Sequence, residues 1–148
     1  MIPFTSTTTI ARAADDIWAA ATDVARHPEW MSITESVLVQ GDGVSPGSRA
    51  RQAMRLGPVS LRYELEVADA DPGRRIGWRT VGGGSLRADT RLELEQLSDD
   101  ETRVTWAGEM GFRGLLRLIE PLIAAEARAG EARELERLRS LLEQPSAS

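Results

Sequence analysis

The sequence predicts an α+β domain in which a curved antiparallel sheet of about seven strands wraps around one long C-terminal helix. Two observations indicate this arrangement. Leucines and isoleucines recur at helical spacing over residues 114–144, and short segments of alternating apolar and charged residues fill residues 36–110. The helix would run roughly 45 Å, which is longer than a domain of this size needs unless a sheet wraps around it. Such a sheet leaves a space against the helix.

Length and composition predict a single cytoplasmic domain. The chain has 148 residues, which suits one domain over residues 1–144 and a short tail at 145–148. It has no cysteine, which excludes disulfides and is typical of a reducing cytoplasm. Its net charge is −5 and its arginines are scattered among more numerous acids, which argues against nucleic-acid binding. No stretch approaches the roughly 20 apolar residues of a membrane span.

The N-terminal part predicts a strand and two short helices before the main run of strands. Residues 4–11 are rich in threonine, which favours a strand. Residues 13–22 change to helical spacing with acids in the first turn, and residues 23–32 suggest a second short helix broken near Pro28. Strand character resumes at Glu35.

Glycine-rich segments at residues 41–47 and 82–84 predict turns, because neither has the spacing of a nucleotide-binding loop. The segments 49–56, 59–67 and 86–95 alternate strictly, so parity assigns their residues to two faces. Two further strands are expected at 75–81 and 102–108. The outer faces mix arginine with acids, which predicts cross-strand charge pairs. The inner faces carry the apolar residues.

The sequence supplies no recognisable catalytic, metal or cofactor set, and the catalytic residues are therefore unknown. His27 is the only histidine, and a lone histidine before proline is expected to pack or cap a helix end. Glu109 is expected near the mouth of the cavity, where the last strand ends. It could have a functional role there or be a solvated charge at the end of the strand. Pro121 indicates either a kink in the final helix or a new first turn.

The inner faces predict a site for a hydrophobic small molecule. Gln52, Tyr63 and Thr90 are polar positions among apolar neighbours and would orient polar groups, while tryptophans supply flat surfaces. The candidate ligand-binding residues are Trp30, Gln52, Met54, Tyr63, Trp78, Thr90, Trp106, Ile119 and Ile123. The alternative is that these side chains fill a solid core. An interior without a pocket of even a few hundred Å³ would contradict the binding hypothesis.

The order of elements, strand, two short helices, six strands and a long helix, resembles the START-like helix-grip superfamily. The resemblance is in particular to its polyketide cyclase/dehydrase and lipid-transport branch of small bacterial proteins. The local likeness is strongest at residues 15–18, 23–30, 47–49 and 102–106. The resemblance implies hydrophobic-ligand binding, with a polyketide cyclase or dehydratase and a co-chaperone-like interaction module as alternatives. In the last case the helix end, from Glu131 onward, could pair with a second copy of the chain.

Overall fold

The computed structural model describes residues 1–56 and 58–143, and it contains one antiparallel sheet of seven strands. The strands are β1 (Ile2–Ile10), β2 (Glu35–Gln40), β3 (Arg49–Leu56), β4 (Val59–Asp71), β5 (Arg75–Val81), β6 (Leu86–Ser98) and β7 (Glu101–Phe112). Their order across the sheet is β1-β7-β6-β5-β4-β3-β2. The predicted α+β fold is confirmed. Gln144 and the predicted tail at 145–148 lie outside the described residues.

The alternation predicted for the strands is confirmed on both faces of the sheet. Leu61, Leu65 and Leu92 are buried on the inner face. On the outer face Glu66 lies between two arginines, with Arg49 at 3.6 Å and Arg79 at 3.9 Å, because the register pairs it with both. Such half-exposed pairs contribute only about 0.2–1 kcal/mol each, so the sheet depends on its buried inner face.

The two short helices between β1 and β2 are also present. The first is α1 (Ala14–Ala21), and the second is a 3₁₀ helix over Val24–Glu29 that contains Pro28. The carboxylate of Asp23 accepts a hydrogen bond from the Ala25 amide at 3.2 Å and so caps this 3₁₀ helix. The 3₁₀ helix carries His27 into the core beside the sheet.

The C-terminal helix has two parts. A 3₁₀ segment spans Gly114–Ile119, and the α-helix α2 (Glu120–Glu143) follows with 24 residues. Pro121 is the second residue of α2, where no earlier turn of that helix requires its missing amide hydrogen. The proline therefore begins a new first turn and does not kink a continuous helix. Among the described residues no helix is both long and apolar enough to cross a bilayer.

The second half of α2 is fixed to the sheet, whereas its start is open. Leu135 and Leu138 are buried in the main core, and Arg12 at the end of β1 donates a hydrogen bond to the Leu142 carbonyl at 2.7 Å. At the other end Leu118 and Leu122 are 75% and 83% exposed. The helix consequently closes over β1 and leaves a gap beside β3 and the end of β7.

Candidate ligand-binding site

A cavity of about 90 Å³ lies between the inner face of the sheet and α2. Most of its wall is apolar, and the apolar residues that the sequence analysis did not select are Met31, Ile33, Leu65, Leu86, Ala88 and Met110. The remaining polar wall comes from Ser32 and from two carboxyl groups of α2, Glu131 and Glu134. An apolar chamber with a few convergent polar groups is the usual form of a small-molecule site.

A second space of about 250 Å³ lies directly outside this cavity, in the gap beside the first half of α2. The two spaces share Ser32, Met54, Met110, Glu131 and Glu134 as lining residues. We call the inner space the cavity and the outer space the cleft. The interior cavity alone is smaller than the few hundred Å³ that the sequence-based hypothesis required. Only with the cleft does the space reach the lower end of the roughly 300–1,000 Å³ that is typical of small-molecule sites.

Six of the nine predicted site residues line the cavity, namely Gln52, Met54, Tyr63, Trp78, Thr90 and Trp106. Ile123 lines the cleft. Trp30 is only 1% exposed and lies in the core behind the cavity, and Ile119 lines neither space. The structure thus brings most of the predicted residues together, and their contact with a ligand stays a prediction.

The tryptophans pack against each other, which explains why the cavity is small. Trp30 and Trp106 meet edge to face with ring centroids 5.4 Å apart, and Trp78 lies 6.0 Å from Trp106 in a similar orientation. Phe4 adds a fourth ring at 5.9 Å from Trp106. Aromatic side chains therefore fill much of the interior, and this part of the molecule is the solid core that the alternative hypothesis expected.

A buried hydrogen-bonded chain links His27 to the cavity wall. The amide nitrogen of Gln52 lies 3.0 Å from Nδ1 of His27 and 3.0 Å from the Ser36 hydroxyl, so the Gln52 amide donates to both. The Tyr63 hydroxyl donates to Oε1 of Gln52 at 3.2 Å, and Nε2 of His27 donates to the Ala21 carbonyl at 3.0 Å. Gln52 has no free amide hydrogen for a ligand, so its role is to orient Tyr63.

Burial determines the protonation states of His27 and Tyr63 in this hydrogen-bonded chain. Desolvation lowers the pKa of His27 to about 4, against small opposing effects of the Ala21 carbonyl and Asp23. His27 is therefore neutral near pH 7 and accepts from Gln52 through Nδ1. Burial, with the charges of Glu134 and Glu131, raises the pKa of Tyr63, which keeps its hydroxyl protonated. The structural role predicted for His27 agrees with these contacts.

Gln52→Leu should lower the free energy of unfolding by about 1–3 kcal/mol, because it leaves His27, Ser36 and Tyr63 without their buried partner. Gln40→Leu is the matched control, since Gln40 is exposed on β2 and its loss should change stability by less than about 0.5 kcal/mol. Urea unfolding of both variants at pH 7 measures the difference. Equal free energies of unfolding for Gln52→Leu and Gln40→Leu would contradict the assignment of Gln52 as the centre of the hydrogen-bonded chain.

Glu131 and Glu134 bring two carboxyl groups to the boundary of the cavity and the cleft. Oε2 of Glu131 accepts from the Trp106 indole at 2.8 Å, and Oε2 of Glu134 accepts from the Ser32 amide at 3.1 Å. Burial, the charge of Glu131 and a hydrogen bond between the two carboxyls raise the pKa of Glu134 well above its usual value. Glu134 thus tends to keep a proton in a site that is otherwise apolar.

This carboxyl pair was not predicted from the sequence, although the spacing of the residues contains a signal. Glu131 precedes Leu135 and Leu138 by four and seven residues, and Glu134 precedes Leu138 by four, so both acids continue the apolar face of α2. For Glu109, which was left open between a functional and a solvated role, the position agrees with the solvated role. This residue is exposed and lines a polar groove with Arg79 and Arg87 on the outer side of the sheet, because its neighbour Met110 takes the inward position.

A seven-stranded sheet that grips a C-terminal helix around an apolar cavity defines a START-like helix-grip protein. The chain belongs to the polyketide cyclase/dehydrase and lipid transport family, whose model matches residues 1–143. No curated protein sequence matches the chain. The family assignment agrees with the resemblance found in the sequence.

Solved structures of the same fold cover nearly the whole chain. A START superfamily protein from Mycobacterium smegmatis is 16% identical, with a TM-score of 0.78 over 96% of this chain and 97% of that one. TTHA0849 from Thermus thermophilus is 14% identical, with a TM-score of 0.78 and coverage of 95% and 96%. The ZhuI aromatase/cyclase from Streptomyces sp. R1128 is 14% identical, with a TM-score of 0.68 and 94% coverage of both chains. At these identities the likeness shows the fold alone.

Proposed function

We propose that the protein binds a small, mostly apolar molecule that occupies the cavity and the cleft together. The observation that carries this proposal is that the two spaces adjoin and share five lining residues, two of them on α2. Neither space alone would hold more than a small fragment. A ligand with one end in the cavity and its body in the cleft would cover Met54, Met110 and Ile123.

The apolar wall would supply most of the affinity. Burial of apolar surface contributes roughly 25 cal/mol per Å², and methionine side chains adjust their shape to fill irregular space. The cavity end offers polar contacts at Tyr63, Thr90 and Glu134. Because the Tyr63 hydroxyl donates to Gln52, its oxygen is left to accept a hydrogen bond. The ligand should therefore carry a polar group at the end that enters the cavity.

Filling the cavity should weaken this binding without unfolding the protein. Ala88 lies on the cavity wall, and Ala88→Leu places a larger side chain in the existing space. We expect affinity to fall by about tenfold or more, equivalent to about 1.4 kcal/mol, as steric exclusion removes the ligand's inner end. Calorimetry with dodecanoate, menadione and emodin, preceded by native mass spectrometry to find which of them binds, measures the change.

Two variants on α2 complete this test. Ala127→Leu narrows the cleft and should also weaken binding, whereas Ala132→Leu changes an exposed position of the same helix and should have no effect. Unfolding curves of all three variants verify that the fold is retained. Affinity unchanged in both Ala88→Leu and Ala127→Leu, or no binding of any probe by the native protein, would overturn the proposal.

A second candidate function is cyclisation or dehydration of a poly-β-ketone chain in the same site. The observation in its favour is the position of Glu134 on the wall of a mostly apolar cavity that Tyr63 also lines. Burial and Glu131 raise the pKa of this carboxyl group, which favours the protonated form that a general acid for a carbonyl oxygen needs. Turnover of a poly-β-ketone mimic that is lost in Glu134→Gln and in Tyr63→Phe would support it. Absence of turnover over a broad panel would count against it.

Homodimerisation and a cytoplasmic location stay predictions. The exposed leucines Leu115, Leu118 and Leu122 at the start of the C-terminal helix provide an apolar surface that a second copy could cover. Sedimentation of the native chain and of Leu118→Gln over a range of concentrations would show whether such a dimer forms.

A further inference from the structure

We infer that the ligand of this site carries a positively charged amine, which the carboxyl groups of Glu131 and Glu134 and the surrounding aromatic rings recognise. The inference rests on the proposed function, because it names the chemical class of the molecule that enters the cavity. Its basis is the placement of two acids and three aromatic side chains, Tyr63, Trp78 and Trp106, around one apolar chamber.

The carboxyl pair has no cation of its own within the part of the chain that the structure describes. Other acids of α2 are paired, Glu126 with Arg133 at 2.9 Å and Glu143 with Arg139 at 3.1 Å. Glu131 and Glu134 make no such ion pair among the described residues, and their direct partners are the Trp106 indole and the Ser32 amide. Glu134 is buried and Glu131 is partly buried. A buried acid beside a second acid is unfavourable without a countercharge, unless a proton or another cation joins it.

The arginine of α2 that acts on the pair does not form an ion pair with either carboxyl group. On α2 the cation whose charge acts on Glu134 is Arg137. Its guanidinium is already bonded to the Trp30 carbonyl at 3.0 Å and to the Ser32 hydroxyl at 2.8 Å. Its charge lowers the pKa of Glu134, but less than burial and Glu131 raise it. Arg137 therefore contributes a weak, indirect countercharge.

The other elements that surround the pair add no cation to the cavity. Arg55 of β3 and Arg133 of α2 line only the outer cleft, where Arg133 is bonded to Glu126. The cavity walls from β4 and β6 contribute the hydroxyl groups of Tyr63 and Thr90, which are neutral. Among the described lining residues the cavity itself has acids and no base.

The aromatic wall suits an organic cation more than a metal ion. A ring face attracts an ammonium group by about 0.5–2 kcal/mol when the site is partly desolvated, and aromatic cages recognise alkylammonium ions in this way. The described residues contain no group of three side chains arranged to ligate a metal. Two carboxyls beside aromatic and methionine side chains match an amine attached to an apolar body, with the body in the cleft.

Binding of such a cation beside the two acids should favour release of the proton from Glu134. In the empty site burial and the neighbouring Glu131 favour the protonated form of Glu134, whereas a bound ammonium group stabilises its carboxylate. Affinity for the amine should consequently rise with pH over the range in which Glu134 loses its proton, and binding should release protons into the buffer. A ligand carbonyl held by a protonated Glu134 would show the opposite pH dependence.

The test compares three probes of one shape with different charge: 4-phenylbutylamine, 4-phenylbutan-1-ol and 4-phenylbutanoate. At pH 7.5 we expect the amine to bind about tenfold more tightly than the alcohol, and the carboxylate to bind most weakly. Calorimetry in two buffers of different ionisation enthalpy should detect proton release with the amine alone. In Glu134→Gln the ratio of amine affinity to alcohol affinity should fall from about ten to about one.

Glu136→Gln is the matched control, because Glu136 is exposed on the same helix, and it should keep the full preference for the amine. An amine that binds no better than the alcohol, or binding of the alcohol that weakens as pH rises, would overturn the inference and leave the proposed binding function standing. If none of the three probes and none of dodecanoate, menadione and emodin binds, both the inference and the proposed function fail.

Discussion

Leu138→Ala should lower the free energy of unfolding by about 3 kcal/mol, because the substitution leaves a cavity where α2 packs on the sheet. Leu138 is 0% exposed and belongs to the main core together with Trp106 and Leu135. This position is where the sheet holds the helix, so the loss should be among the largest for any single truncation on α2. Urea unfolding at pH 7 measures it.

Leu122→Ala is the control for this experiment. The same helix carries Leu122 with 83% of the side chain exposed, and its truncation should change stability by less than about 0.5 kcal/mol. Equal losses at the two positions would mean that the helix does not pack on the sheet as described.

Acidification should destabilise the protein through His27 by about 3 kcal/mol between pH 6.5 and pH 4. The pKa of His27 falls from 6.5 to about 4 on folding, so the folded state favours the neutral ring. The resulting stability is fully present above pH 6.5 and is lost as pH falls toward 4. Glu134 acts in the opposite sense, because a raised carboxyl pKa favours the folded state at low pH.

The effect of His27 on stability can be distinguished from that of Glu134 by observing the titration of His27 directly. It is the only histidine of the chain, so its ring signals in an NMR titration need no assignment by mutation. We expect a midpoint near pH 4 in the folded protein. The stability difference between the native chain and His27→Leu should shrink by the same 3 kcal/mol over this range. A midpoint near 6.5 would show that the ring is solvated and that the buried chain to Gln52 is not formed.

Strand parity predicted the sheet and much of the candidate site. Alternation is imposed by strand geometry, so Gln52, Tyr63, Trp78 and Trp106 could be assigned to the inner face from the sequence alone. The volume of the interior could not be assigned in this way. It depends on how closely the tryptophans pack, and parity does not tell a ring that lines a cavity from one that fills the core behind it, as Trp30 does.

The carboxyl pair was missed for a related reason. An acid on an amphipathic helix is ordinarily solvated, and only the position of α2 against β7 shows that Glu134 is 5% exposed. Ile119 was selected as part of a continuous helix, whereas the chain changes from a 3₁₀ segment to α2 at Glu120. Both outcomes depend on tertiary packing, which the local spacing of residues does not specify.

The most direct test of the ligand site uses the four methionines of the chain. Met31, Met54 and Met110 line the cavity, and Met54 and Met110 also line the cleft, whereas Met1 lines a separate polar groove. Methyl NMR of protein labelled at methionine, titrated with dodecanoate, menadione, emodin and 4-phenylbutylamine, should show at least one probe that shifts the three cavity methyls and leaves Met1 unchanged. If every probe leaves these three signals unmoved, or moves Met1 alone, the cavity and cleft do not form the binding site.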